Sequence, residues 1–222
     1  MIGGNRLPEG LMEEVVSAIR DFELLRAQGF GDSESPLLVS VCSGSMSSTP
    51  EMMDTILYIG LNDETVRELS VINGNQRLAY DCYRQLLQMF GRIVCNIDNN
   101  YFEWELQTLK KKLRCKTDSE LSESALIELC ITYKKIIRKM MGTPFPENVY
   151  DQLGMAIEAV FRSWKRNFVY SSMHRLSADR VGAVKIQPIV LDDSGSTGGN
   201  GVLITRDSFT GEKCYKLAET AP

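Results

Sequence analysis

Two adjoining stretches decide the fold class of this chain, Pro36-Leu-Leu-Val-Ser-Val-Cys42 and Ser43-Gly-Ser-Met-Ser-Ser-Thr-Pro50. The first is a short apolar run rich in β-branched residues, which is typical of a buried strand. The second is small and rich in hydroxyl groups, and such a loop after a buried strand can bring its backbone close to a phosphate. Ser/Gly loops are also common connectors, so the loop alone indicates phosphate binding only weakly.

Helical periodicity lies on both sides of this strand. Upstream, apolar residues from Leu11 to Phe22 recur at helical spacing and predict an amphipathic helix that Gly29 and Gly31 terminate. Downstream, the prolines of Thr143-Pro-Phe-Pro146 must stop a helix, because neither tolerates a helix interior. We interpret four apolar stripes around this stop as core: Ala79, Tyr83, Leu86, Phe90, Val94; Phe102, Leu106, Leu109, Leu113; Leu126, Leu129, Tyr133, Ile136, Met140; Tyr150, Leu153, Ile157, Val160, Trp164.

The last forty or so residues have a β pattern. Ala183–Leu191 predicts a strand interrupted by Pro188, which cannot donate to a ladder and therefore indicates an edge strand or a bulge. Val202–Thr205 and Cys214–Leu217 predict a hairpin around Ser208–Glu212. The pattern predicts an α+β fold, and the length allows one domain with an inserted lobe or two domains.

Composition excludes several functional classes. The 222 residues are 43% hydrophobic and 24% charged with a net charge of −4, as in a globular protein without a nucleic-acid or anionic-membrane surface. No stretch approaches the ~20 apolar residues of a membrane span, and the N-terminus lacks the features of a secretory signal or transit peptide. We interpret the densest basic run, Lys110-Lys111-Lys112 with Arg114, as a solvated helix face.

The cysteines and the single histidine predict no metal site. The six cysteines contain no CxxC pair, which argues against zinc and a disulfide framework and favours reduced thiols in the cytoplasm. His174 is the only histidine, and we interpret it as an ordinary surface or core residue.

Short motifs in a fixed order resemble the ATP-binding region of the pyruvate, phosphate dikinase family over nearly the whole chain. They are Leu7-Pro-Glu-Gly-Leu11, Val39-Ser-Val-Cys-Ser-Gly44, Pro50-Glu-Met-Met-Asp-Thr55, Gly60-Leu-Asn-Asp63, Arg77-Leu-Ala-Tyr-Asp-Cys-Tyr-Arg84, Gln88-Met-Phe-Gly91, Pro144-Phe-Pro146, Tyr150-Asp-Gln-Leu153, Ala159-Val-Phe-Arg-Ser-Trp164, Gly201-Val-Leu-Ile-Thr-Arg206 and Thr210-Gly-Glu212.

The resemblance implies an ATP-grasp-like fold whose lobes hold ATP between them. On this basis we expect residues 1–61 to form the first part of the lobe, 62–146 a helical insertion, and 147–222 a helix with the β-rich part. Family enzymes use ATP, phosphate and magnesium to phosphorylate a histidine on a swivelling domain, from which a third domain passes the phosphoryl group to pyruvate.

One position departs from the family pattern at the point where charge matters most. The family strand reads Val-Arg-Ser-Gly and its arginine contacts the ATP phosphates, whereas this sequence has Cys42. A thiol cannot replace a planar, permanently charged group with five donors. Loss of one such clamp costs about 2.7–4 kcal/mol of transition-state stabilisation.

The resemblance also implies groups that we do not find in this sequence. They are a Gly-rich segment with a phosphate-binding lysine before the first helix, and metal-binding carboxylates in an Asp-Ile-Glu-Phe-type strand followed by Gln-Thr-Arg. We therefore predict no catalytic residue and no metal ligand in the chain, and His174 is not assigned as the phosphorylated histidine.

Other positions carry over from the resemblance. Ile186-Gln-Pro-Ile-Val190 aligns with the family strand Val-Gln-Ala-Met-Val, so Gln187, Ile189 and Val190 are expected to line the adenine side of the cleft, with one N–H missing at Pro188. Three further candidates each have an alternative. Arg84 and Arg206 face phosphate or form a surface or inter-lobe ion pair, and Glu212 contacts nucleotide or is a turn residue. Gly198, Gly199 and Gly201 match a Gly-rich turn of the family, whose backbone either approaches a ligand or only connects the strands of a hairpin.

Three hypotheses follow for function. The chain is a piece of an ATP-dependent phosphotransferase, a catalytically silent relative that acts as a nucleotide-sensing or protein-interaction module, or a remnant without a retained role. We expect the chain to fold, because no polar residue interrupts the helical stripes. We expect it to bind ATP weakly if at all and not to turn it over.

Overall fold

The computed structural model describes residues 7–43, 55–173, 183–191, 200–207 and 210–220. Helices α1–α6 span Leu11–Arg26, Thr65–Ile72, Gln76–Met89, Asn99–Leu113, Glu123–Met141 and Val149–Met173, and strands β1–β5 span Val39–Ser43, Thr55–Ile59, Val184–Pro188, Asn200–Arg206 and Lys213–Thr220. A π-helical turn, Phe90–Val94, follows α3, and a 3₁₀ turn, Asp118–Glu120, precedes α5. The α+β class is confirmed.

Strand β1 is the centre of a three-stranded antiparallel sheet with the order β2-β1-β3. The run at residues 36–42 therefore forms a strand as predicted, although the ladder begins only at Val39. Pro188 lies in β3, at the edge of the sheet that the described residues form, which confirms the edge alternative. Strand β2 was not predicted, although its β-branched run Thr55-Ile-Leu-Tyr-Ile59 ends at a glycine with φ 115°.

The predicted hairpin is present as a separate two-stranded sheet, in which β4 and β5 pair from Asn200↔Thr220 to Arg206↔Lys213. Three earlier interpretations fall outside the described residues. They concern the Ser/Gly loop after Ser43, the glycines Gly198 and Gly199, and His174.

Local signals set the helix ends. The side chains of Asn75 and Ser122 accept hydrogen bonds from backbone N–H groups in the first turns of α3 and α5. Helix α5 ends at Met141, before Gly142 at φ 75°, and α6 begins at Val149. The stop predicted from the two prolines between them is confirmed.

Most of the predicted helical stripes are core, and one hydrophobic cluster runs continuously from α1 and the sheet into α3, α4 and α5. Two stripe residues near helix ends are exceptions, since Leu113 is 44% exposed and Met140 is 45% exposed. The side chain of Trp164 lies outside the described side chains. The division into residues 1–61, 62–146 and 147–222 remains a prediction, because the shared cluster sets no boundary between the parts.

The interpretation of the basic run as a solvated face was wrong for one residue. Lys110 is 8% exposed, and its Nζ lies 2.7 Å from Asp118 Oδ1. Lys111 and Lys112 are exposed as expected. The helical stripe could not reveal this, because Asp118 lies in the following turn, outside the helix. In the described part of the chain, no helix meets the length and hydropathy of a membrane span.

Candidate functional site

The three-stranded sheet has one packed face and one polar face. Because side chains alternate along a strand, Val39 and Val41 of β1 point to the same side, where both are fully buried. Helix α6 packs against the three strands. Ser40 and Cys42 point to the opposite side, which we call the polar face. This face contains Cys42, the position at which the resemblance leads us to expect an arginine.

The register places a lysine beside Cys42. Cys42 pairs with Thr55 of β2 and with Lys185 of β3, so the three side chains form a row across the polar face. Directly opposite residues in an antiparallel pair have Cβ atoms about 4.5–5.5 Å apart. Cys42 is half-buried and Lys185 is exposed. A lysine side chain thus lies one strand away from the position at which the resemblance leads us to expect an arginine. Sequence reasoning missed Lys185, because only the register of β1 against β3 reveals the pair.

Of the expected adenine-side residues, Gln187 lies on β3, and Ile189 and Val190 directly follow it. Part of their backbone is hydrogen-bonded to β1. The Ile189 N–H donates to the Leu38 carbonyl at 2.8 Å, and the Ser40 hydroxyl donates to the Gln187 carbonyl at 3.4 Å. Antiparallel ladders alternate, so the backbone groups of Gln187 and Ile189 point toward β1 and the nitrogen of Pro188 points to the outer edge. The N–H that Pro188 lacks would have faced that edge, where a ligand would contact this strand.

The side chains of these residues divide between two surfaces. Gln187 is exposed on the polar face, opposite Ser40. Ile189 and the 69% exposed Val190 line a pocket of about 240 Å³ that also includes Leu38 and Leu69. The structure therefore groups Cys42, Lys185 and Gln187 on one face and Ile189 with Val190 at the end of the same strand.

Arg84 lies elsewhere, inside α3. Its guanidinium pairs with Asp81 at 2.8 Å and donates to Gln88 Oε1 at 3.1 Å, with a further contact of 3.7 Å to Asp118. Burial opposes the charged form, but the Asp81 carboxylate outweighs it and the pKa of Arg84 is raised. Arg84 thus forms an ion pair, but one that is buried inside the helical part and not the surface or inter-lobe pair of the alternative. Nucleotide binding by Arg84 has no support from this geometry.

Arg206 and Glu212 belong to the β4–β5 hairpin. Arg206 is exposed and its Nη1 donates to the Gly211 carbonyl at 3.1 Å. The backbone of Glu212 closes the turn, since its carbonyl accepts from the Asp207 N–H at 2.9 Å and its N–H donates to Thr210. These contacts agree with the alternative that Glu212 is a turn residue, and its side chain is exposed. Roles in nucleotide binding stay predictions for both residues.

Among the described residues, no group of three or more histidines, cysteines, aspartates or glutamates is arranged to hold a metal ion. The described part of the site thus offers a cation, hydroxyls and an amide, which suit a phosphate or a nucleotide, and it shows no set of magnesium ligands.

Comparison with known sequences shows which proteins this chain is similar to. No protein-family model matches the chain. The chain is 44% identical over 208 residues to a pyruvate, phosphate dikinase of Giardia intestinalis, covering 93% of the chain and 24% of that protein. It is 40% identical over 216 residues to the pyruvate, phosphate dikinase of Entamoeba histolytica, covering 96% and 24%. It is 41% identical over 212 residues to the chloroplastic pyruvate, phosphate dikinase 1 of Oryza sativa subsp. japonica, covering 95% and 22%.

The chain thus spans about a quarter of the length of the curated relatives that it matches. The identity extends over almost all of the chain and includes both the helical part and the sheet that carries the polar face. These matches identify the chain as a relative of the pyruvate, phosphate dikinases that corresponds to one segment of their length.

Proposed function

We propose that the chain is the ATP-binding portion of a pyruvate, phosphate dikinase-like phosphotransferase, with an ATP-grasp-like fold, and that it does not transfer phosphate by itself. The observation that carries the proposal is the polar face of the sheet, where Lys185 lies directly across from Cys42. We propose that Cys42 stands at the position of the family's phosphate-binding arginine, as the resemblance implies. The named relatives are dikinases that the chain matches over about 95% of its length.

The chemistry of this face supports binding better than catalysis. Phosphoryl transfer depends on fixed positive charge around the transferred group. Lys185 supplies a point charge on a flexible stem and lacks the rigid fork with which arginine holds two phosphate oxygens. We therefore propose weak ATP binding, with the phosphates toward Lys185. Magnesium would accompany ATP as in the family, and we derive no step through it.

A second candidate is a catalytically silent, nucleotide-sensing or protein-interaction module. Two positions on the same sheet favour it, because Cys42 removes a cation from the phosphate side and Pro188 removes a donor from the outer edge of β3. We propose the cytoplasm as the compartment, because all six cysteines are free thiols.

Calorimetric titration of Mg-ATP tests the proposal with four forms of the chain: native, Cys42→Arg, Lys185→Ala, and Lys112→Ala as a control on an exposed helix face. Restoring the arginine adds a charge-assisted hydrogen bond of about 1.5–3 kcal/mol, so we expect Cys42→Arg to bind about 10–150 times more tightly than the native chain. Lys185→Ala should weaken binding and Lys112→Ala should not change it.

Two results would overturn the proposal. If Cys42→Arg binds no better than the native chain, the polar face is not the phosphate side of a nucleotide cleft. If the native chain releases phosphate from ATP above a protein-free blank, and Lys185→Ala abolishes that activity, the chain is catalytically competent. Tight binding by the native chain together with no turnover would instead favour the nucleotide-sensing module.

A further inference from the structure

A second groove lies in the helical part of the chain, built by residues separate from the polar face. It is formed by α2, α3, α5 and the linker after α5, and its volume is about 480 Å³. Small-molecule sites in proteins have volumes of about 300–1,000 Å³. We call it the α5 groove, and the residues used below are Asp63, Arg67, Tyr80, Ile131, Lys134, Lys135 and Arg138.

The α5 groove carries an excess of positive charge. Arg67, Lys134, Lys135 and Arg138 line it, against the single carboxylate of Asp63. The whole chain has a net charge of −4, so this concentration of cations is opposite to the overall balance. Such a local field raises the concentration of anions at the groove.

Lys134 is held in place, and its role is structural. Its Nζ lies 2.6 Å from Asp63 Oδ2 and 2.6 Å from Glu147 Oε1, which ties α5 to the segments before α2 and α6. Burial opposes its charge, but the hydrogen bonds to Asp63 and Glu147 outweigh burial and raise the pKa of Lys134. The Asp63 carboxylate, which lines the groove, and the Glu147 carboxylate are thus both paired with Lys134.

The other three cations are exposed and do not take part in the ion pairs found among the described side chains. Lys135 and Arg138 are three residues apart on α5 and therefore lie on one helix face. Arg67 of α2 lines the same groove. Three cations from two helices thus converge on the same opening.

The groove also has an apolar half. Ile131 lies one turn before Lys135 on α5 and is 50% exposed, and the half-buried ring of Tyr80 faces the same space from α3. A ligand that satisfies both halves carries a flat apolar body and an anionic group. An inorganic anion would leave the apolar half in contact with water.

We propose that the α5 groove is a binding site for an organic anion, with an aromatic body against Tyr80 and Ile131 and a phosphate or carboxylate group held by Arg67, Lys135 and Arg138. Because the ligand contacts α2, α3 and α5 together, its binding stabilises the packing of these helices by mass action. The proposal does not depend on nucleotide binding at the polar face.

Phenyl phosphate is a suitable probe, since it combines a ring with a phosphate, and amide chemical shifts of the full chain report where it binds. We expect shifts at Ile131, Lys135 and Arg138. The double variant Lys135→Ala/Arg138→Ala should bind about tenfold or more weakly, because two charge-assisted hydrogen bonds are lost. The matched control Lys111→Ala/Lys112→Ala removes two exposed cations from α4 and should bind like the native chain.

The location of the shifts separates this site from the polar face. Shifts confined to β1 and β3 would overturn the α5 groove and leave the proposed nucleotide cleft standing. If both double variants bind phenyl phosphate equally weakly, the effect comes from the overall charge of the chain and not from the groove, which would also overturn the proposal. Binding of inorganic phosphate as tight as that of phenyl phosphate would refute the role of Tyr80 and Ile131. The substituted side chains are exposed, so all variants should fold, which thermal unfolding checks.

Discussion

The side chain of Arg84 is 5% exposed and pairs with Asp81, whose side chain is 16% exposed. Removing one partner of a buried ion pair leaves an uncompensated charge, so we expect Arg84→Met to lower the free energy of unfolding by about 3 kcal/mol, measured by urea denaturation. The control is Lys112→Met, because the pair of Lys112 with Glu128 is long, at 3.9 Å, and exposed. Its loss should cost less than about 1 kcal/mol. Equal losses in the two variants would show that the Arg84 pair is not structural.

Two buried thiols make the stability of the chain sensitive to alkaline pH. Burial raises the pKa of Cys82 and of Cys130 from 9.0 to about 12. A raised folded-state pKa means that the stabilisation is complete below the unfolded pKa and is lost as the pH rises toward the folded value. Between about pH 8 and about pH 9.5, each thiol should therefore lower the free energy of unfolding by about 0.8 kcal/mol.

Denaturant unfolding at the two pH values measures this loss, and the comparison is with Cys82→Ala/Cys130→Ala. We expect the double variant to be less stable at both pH values, because two core side chains are shortened. Between the two pH values, its free energy of unfolding should fall by about 1.6 kcal/mol less than that of the native chain. The same pH dependence in the native chain and the variant would rule out the thiols as its source. Tyr58, Tyr83 and Tyr133 have raised pKa values through burial, so their contribution grows at still higher pH.

At the scale of the elements, two glycines in helical segments should respond in opposite directions to the same substitution. A Cβ on Gly91, in the π-helical turn, would lie 2.3 Å from Phe102 Cζ, whose ring is fully buried. A Cβ on Gly154, in α6, would meet only Met12, at 3.6 Å, which is ordinary contact. We expect Gly91→Ala to destabilise the chain by about 1–3 kcal/mol through overpacking. Gly154→Ala should stabilise it by about 0.5–1 kcal/mol through helix propensity.

Thermal or urea unfolding of the two variants measures both changes in stability. Stabilisation by Gly91→Ala would mean that α4 moves away from the turn without cost, and the tight packing of Phe102 would then not fix the position of α4. Destabilisation by Gly154→Ala would show that Met12 of α1 cannot adjust to the added methyl group.

The elements themselves were largely predictable, whereas their contacts were not. Periodicity located the helices around Tyr83, Leu106 and Leu126, and the prolines before Glu147 located the break between α5 and α6. Strand β2 was not predicted because its apolar run is short, only five residues from Thr55 to Ile59. Sequence also could not reveal that Lys110 reaches Asp118 or that Cys42 faces Lys185, since both depend on the three-dimensional path of the chain. The resemblance supplied the candidate nucleotide residues, and Arg84 forms a buried ion pair within α3 that neither alternative described.

At the scale of the whole molecule, the polar face and the α5 groove stand on one continuous hydrophobic cluster. Fully buried residues of β1, such as Val41, and of α5, such as Leu126, belong to the same cluster. Helix α3 connects them, because it contacts both β2 and α5. A ligand that stabilises either site should therefore protect the other part against unfolding. This coupling requires that the sheet and the helical part unfold together.

That requirement can be tested with one substitution at each end of the cluster. Leu126→Ala should cost about 2–5 kcal/mol, and Val41→Ala should be destabilising through the same loss of buried contacts. If the cluster is one cooperative unit, Leu126→Ala lowers the free energy of exchange of the slowest amides in β1 by the same amount as in α5. Val41→Ala likewise lowers it by the same amount in α5 as in β1. Native-state hydrogen exchange measures both sets of amides in one experiment. If Leu126→Ala accelerates exchange in α5 and leaves β1 unchanged, the helical part at residues 62–146 unfolds as an independent unit, as an inserted lobe would, and ligands at the two sites would act separately.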